Sequence, residues 1–194
     1  MNRHFSAVLL VALLAAFPAR AEIEGPPILT PRVIADMALD DLFARLKENA
    51  ESPAGGRIEQ EILRRFSRSG SPTADLLLAW AVDAMDAKNY PLALDVLDQV
   101  IVLKPDFAEA WNKRATVYYL IDDYSASLSD IRATLALEPR HFGALAGFGM
   151  ILESLDRKAE AIRVFKRALE VNPRLEQVKE TLQKLEEEDA GSEI

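Results

Sequence analysis

Cysteine is absent from the 194-residue chain, which excludes disulfides, thiolate metal sites and a cysteine nucleophile together. Glycine is scarce at 8 residues and aromatics make up 7%, a poor fit to a turn-rich β-sandwich. Histidine occurs twice, at His4 and His141. His4 falls in the N-terminal segment, which reads as a cleaved signal, and this leaves His141 alone with no second His or Cys, so neither a zinc site nor any other metal is expected. No serine sits in a strand–turn–helix elbow, which leaves no defensible Ser–His–Asp set. Positive charge is in deficit, with 23 Lys and Arg against 31 Asp and Glu and a net charge of −8. An acidic surface repels phosphate backbones and argues against a nucleic-acid partner. No carboxylates are marked as a catalytic pair, and no cofactor is implied.

What is abundant points to helices. Hydrophobic residues make up 49% of the chain, led by Ala and Leu, both strong helix formers. The first residues read as targeting. Arg3 precedes an apolar run of 13 from Phe5 to Phe17, broken only by Ser6, and then Pro18 and Ala19-Arg20-Ala21. This is the pattern of a secretory signal cleaved after Ala21. The run falls short of the roughly 20 residues a membrane span needs. The reading is an exported, periplasmic protein, in contact with a membrane only if the signal stays uncleaved. Residues 22–31, with Pro26-Pro27 and Pro31, read as a loose leader.

The strongest signal is a period. Pro105, Pro139 and Pro173 stand 34 residues apart, closing the phrases VIVLKP, TLALEP and ALEVNP. Proline just past a helix end stops it. Small residues recur at Ala81, Ala115 and Gly149 and at Ala93, Ser127 and Ala161; bulky ones recur at Leu97, Ile131 and Phe165. Helices cross closely where side chains are small, and the large ones fill the space beside the crossing. Helices are expected at 73–86, 90–103, 107–120, 124–137, 141–154 and 158–171. Asp106 with Glu109 reads as a capping box. A further amphipathic helix is expected at 174–188, with Leu175, Val178, Leu182 and Leu185 on one stripe, then a disordered tail over 189–194. Two more helices are expected at 32–48 and 57–68, making 32–70 an N-terminal cap or a degenerate repeat. Gly143, Gly147 and Gly149 fall in a periodic helix and read as packing residues, not as a phosphate loop.

These residues resemble the tetratricopeptide repeat (TPR). The match uses Leu145, Phe148-Gly149, Leu152, Ala161, Phe165, Ala168 and Pro173 in the third copy. The second supplies Trp111, Ala115, Tyr118, Ser127, Ile131 and Pro139, and the first Leu77, Trp80-Ala81, Ala93, Leu97 and Pro105. A fixed 34-residue self-similarity marks a helical solenoid. The resemblance implies an all-α, right-handed helical-hairpin solenoid. Its repeats would be 72–105, 106–139 and 140–173, with the N-terminal helical pair before them and a C-terminal capping helix after. The stretches WNKRATVYY (111–119) and HFGAL (141–145) also resemble small repeat proteins of Gram-negative envelopes.

The resemblance further implies that the first helix of each pair lines a concave face that holds a protein or peptide. Carried over residue by residue, that face is Asp75, Leu78, Val82 and Met85, then Glu109, Asn112, Thr116 and Tyr119, then Gly143, Ala146, Met150 and Glu153. Leu78 and Val82 fit a sealed inner surface equally well. Chaperone-binding members hold a terminal carboxylate with Lys, Arg and Asn at such positions. Here Asn112 is present and the cations are not, so that clamp is not expected. Arg114 stands where the family has a buried aliphatic residue and needs an anion, with Asp130 or Glu138 within reach. The expected function is a non-enzymatic binding scaffold of the envelope. A self-assembling structural protein, as a homo-oligomer, is one rival reading, and an envelope hydrolase a weaker one.

Overall fold

The computed structural model describes residues 29–192. The expected signal, 1–21, and most of the expected leader lie outside that range. The described residues form ten helices and no strand. Three hairpins carry the repeat: α4 (Pro72–Asp86) with α5 (Tyr90–Leu103), α6 (Ala108–Leu120) with α7 (Tyr124–Leu137), and α8 (Phe142–Ser154) with α9 (Lys158–Val171). Each helix begins and ends within one residue of its expected position. Behind them runs α10 (Glu176–Ser192). The tail expected to be loose from Asp189 is therefore helical through Ser192, and Glu188 in its last turns pairs with Lys158 at 2.7 Å.

The turns explain why the hairpins repeat so closely. Lys88, Asp122 and Asp156, again 34 apart, adopt left-handed backbone with φ of 56°, 60° and 56°. The next amide in each case bonds back to the helix, Asn89 to Ala84 O, Asp123 to Tyr118 O and Arg157 to Leu152 O. This is the Schellman closure, made here without glycine. Asn89 and Asp123 then cap the second helix by accepting from Leu92 N and Ala126 N. At the second repeat the expected capping box is not formed. Phe107, whose side chain cannot accept a bond, is the N-cap; Asp106 lies one residue before it and pairs with Lys104 at 3.0 Å, and Glu109 is buried on His141.

The small residues sit where the hairpins cross. Ala81, Ala93, Ala115, Ser127 and Ala161 are all buried, and the Ser127 hydroxyl donates to Ala115 O at 2.7 Å. Gly149 packs directly on the Phe165 ring. The helix α10 closes the far end, with Val178, Leu182 and Leu185 in the core of the third hairpin.

The N-terminal segment departs from the expected pair. It makes three helices, α1 (Pro31–Asp36), α2 (Leu39–Glu48) and α3 (Pro53–Phe66), because Met37 turns extended and interrupts the first. Thr30 and Ser52 cap α1 and α3, each followed by proline, and Ser71 caps α4 in the same way. Ile34, Leu42, Phe43, Leu46, Ile58 and Ile62 pack on Phe142, with Val171 and Leu175 beside them. Asp40 pairs with Arg140 at 2.7 Å, and Glu59 accepts from Asn172 at 2.7 Å and from Arg174 at 3.2 Å. The unit is thus seated on the loops of the third hairpin and α10. Leu76 and Trp80 on the first hairpin stay half-exposed.

Candidate groove

The residues expected on the concave face divide into three groups. Asp75 turns back to accept from the backbone and hydroxyl of Ser69 at 2.7 and 2.6 Å. Leu78 is in the core of the first hairpin, 4% exposed, with Met85 packed against that core. Val82 is half-buried and borders neither cavity described below. These four are not brought together into a site.

Glu109 is also inside, 6% exposed. Its carboxylate meets His141 Nε2 at 2.8 Å, Lys113 Nζ at 3.1 Å and Asn112 Nδ2 at 3.1 Å. His141 is 2% exposed; its Nδ1 accepts the Ala144 amide and caps α8. The ring proton therefore stands on Nε2 and is donated to Glu109. Phe66 of α3 stacks on the imidazole at 4.6 Å between centroids. Burial pushes the Glu109 pKa up. The His141 bond and the Lys113 ammonium outweigh it, leaving the pKa below the ordinary carboxylate value. This is a junction between hairpins and N-terminal unit.

The remaining residues converge. Asn112, Thr116 and Tyr119 on α6 face Gly143, Ala146 and Met150 on α8 across a cavity of about 310 Å³. Ala146 and Met150 also border a second cavity of about 400 Å³, shared with Glu153 and with Leu175, Glu176, Val178 and Thr181 of the last helix and its approach. The two cavities share Ala146 and Met150, lie side by side along α6, α8 and α10, and together are termed the groove. Its floor is bare because α8 carries glycines. A Cβ at Gly147 would come no closer than 3.8 Å to Ile131, and one at Gly143 no closer than 3.5 Å to His141. Neither glycine is forced by internal packing.

Sequence reasoning missed the α10 wall. Leu175 and Val178 were legible as an apolar stripe, but nothing showed that its upper edge opens onto Met150. Arg114 resolves as an internal ion pair. It forks onto Asp130 at 2.7 and 2.8 Å and reaches Asp98 at 2.6 Å, while Glu138 serves Arg140 instead. Among the described residues no three His, Asp or Glu side chains converge as a metal site would require. No described helix is long and apolar enough to cross a membrane.

The repeat geometry has matching relatives. Family models described as tetratricopeptide repeat match residues 78–128 and 143–175. A TPR repeat-containing protein of Rhizobium etli is 40% identical over 154 residues, covering 79% of this chain and 76% of its own length. The chain belongs to the tetratricopeptide repeat family. Two solved TPR structures show the same fold. The first TPR of Spaghetti (RPAP3), bound to the HSP90 peptide SRMEEVD, is 21% identical with a TM-score of 0.57. It covers 60% of this chain and 93% of its own. The TPR2B domain of yeast Sti1 in its pHsp70 complex is 15% identical with a TM-score of 0.56. It covers 61% and 99% respectively.

Proposed function

We propose that this TPR chain is a non-enzymatic scaffold that holds a protein segment or peptide in the groove along α6, α8 and α10. The observation that carries this is that two cavities share Ala146 and Met150 as lining, the one beside α6 also being lined by Gly143 and Gly147. Glycine inside a helix costs about 1 kcal/mol relative to alanine. Here that cost keeps the floor low enough for another backbone to approach. Tyr119 and Met150 at the sides offer an amphipathic ring and an adaptable thioether. The HSP90-peptide and pHsp70 complexes of the two structural neighbours support a peptide as the kind of ligand. The apolar run Phe5–Phe17 and Ala19-Arg20-Ala21 support export to the periplasm.

The test replaces Tyr119 and Met150 by Asp and measures capture of partners from envelope extract. Capture is expected to fall while helicity is retained; unchanged capture overturns the proposal. Cell fractionation with sequencing of the mature N-terminus tests export, with Glu22 the expected first residue.

One observation favours a second reading, self-association through the open end of the first hairpin. Trp80 is 54% exposed there beside Leu76 and Leu92, at 51% and 48%. Sedimentation of wild type and Trp80→Ala separates the two, because a monomeric wild type at high concentration removes this reading.

A further inference from the structure

The two halves of the groove share Ala146 and Met150 but differ in charge. The cavity beside α6 has neither a carboxylate nor a cation in its lining; its polar groups are the side chains of Asn112, Thr116, Tyr119 and Ser127. The cavity beside α10 is walled by Met150, Leu175 and Val178 and carries two carboxylates, Glu153 and Glu176, and one guanidinium, Arg174.

That guanidinium is already committed. Its Nε bonds Glu59 at 3.2 Å and its Nη1 is taken by the carbonyls of Ala50 and Ser52. Glu153 has no ion-pair partner among the described residues. Glu176 meets Lys179 of its own helix at 2.9 Å, with its side chain 71% exposed. An apolar slot lined by one unpaired carboxylate, Glu153, and by a second, Glu176, shared with Lys179 suits one kind of side chain, an aliphatic stem ending in a cation.

We infer that the groove reads a pair of side chains, an apolar one in the cavity beside α6 and a Lys or Arg in the cavity beside α10. The stem of the cation lies along Met150, Leu175 and Val178, and its head meets Glu153 and Glu176. Charge of this kind at a half-open site sets which partner is accepted more than how tightly it is held. It also sets what is refused. A segment ending in a carboxylate or rich in acids finds no uncommitted cation among the lining side chains and meets the unpaired Glu153 carboxylate. The inference rests on the groove being the binding site.

The test pans a random twelve-residue peptide display library on the purified chain, on Met150→Asp, and on the charge-reversed Glu153→Lys/Glu176→Lys double variant. Circular dichroism checks that each variant keeps its helices. The wild type is expected to enrich peptides with Lys or Arg beside an apolar residue. The double variant should enrich Asp or Glu at that place. A selected peptide resynthesised with its cation replaced by Met should bind the wild type roughly fivefold more weakly. Enrichment lost in Met150→Asp but showing no cation preference, or the same preference in the double variant, overturns this inference and leaves the groove reading standing. Enrichment that is absent, or unaffected by Met150→Asp, overturns both.

Discussion

Arg114 of α6 is gripped by Asp130 of α7 through two parallel N–H···O bonds of 2.7 and 2.8 Å. The contact joins the two helices of the second hairpin, and the bond to Asp98 of α5 extends it to the first hairpin. Asp130 is 3% exposed, so the pair holds charge where the family pattern has an aliphatic side chain. Arg114→Met leaves the Asp130 carboxylate buried without its fork and is expected to cost about 3 kcal/mol. In Arg114→Met/Asp130→Leu most of that stability should return. A double-mutant cycle by chemical denaturation reads both values.

Gly147 and Gly149, two residues and about 3 Å of helix rise apart and so on opposite faces of α8, should respond with opposite signs. At Gly149 a Cβ would overlap the Phe165 ring, which is 1% exposed and has no room to retreat. Gly149→Ala is expected to destabilise by about 2 kcal/mol. At Gly147 the nearest atom to a Cβ is Ile131 Cδ1 at 3.8 Å, an ordinary contact. Gly147→Ala should stabilise by roughly 0.5–1 kcal/mol through helix propensity while weakening peptide binding. Thermal melts of the two variants check the pair.

Acid should loosen the junction at His141. Glu109 has a folded pKa below its ordinary value of 4.5. The stability that ionised Glu109 contributes is therefore fully present above about pH 4.5 and is lost as pH falls through the lower folded value. Glu109→Gln is expected to cost about 1–2 kcal/mol at neutral pH, since it loses the charged partner of Lys113 and His141. The gap in melting temperature between wild type and variant should narrow below pH 4.5. Melts from pH 7 to pH 3 measure it.

Arg174 anchors the N-terminal unit by its bonds to Glu59, Ala50 and Ser52. Arg174→Ala is expected to free α2 and α3 more than the hairpins, at a local cost of about 2 kcal/mol. Trypsin should then cut faster at Arg57, Arg64 and Arg65, while the hairpins persist in the fragment that begins after Arg65 or Arg68. Mass spectrometry of the digest reads this.

The hairpins were legible because repeat folds write themselves locally. A small residue at each crossing and a proline after each second helix recur at a fixed spacing, and each unit packs on its neighbour. The seat of the N-terminal unit was not legible for the opposite reason. Asp40 with Arg140 and Glu59 with Arg174 join residues about a hundred positions apart, and no period marks such pairs. The groove was half legible. Carrying the family's inner positions across gave Asn112, Thr116, Tyr119, Met150 and Glu153 their places. It also named Asp75, Leu78 and Glu109, whose side chains are spent on a loop, a core and a histidine.

Site-specific photo-crosslinking in living cells would show whether the groove along α6, α8 and α10 holds a partner. A benzophenone amino acid at position 119 or 146 stands in the groove; one at Arg163, an exposed residue of α9, stands outside it. A discrete adduct of the same partner is expected from positions 119 and 146 and none from 163. Adducts from 163 alone, or equal labelling from all three, would contradict binding in the groove.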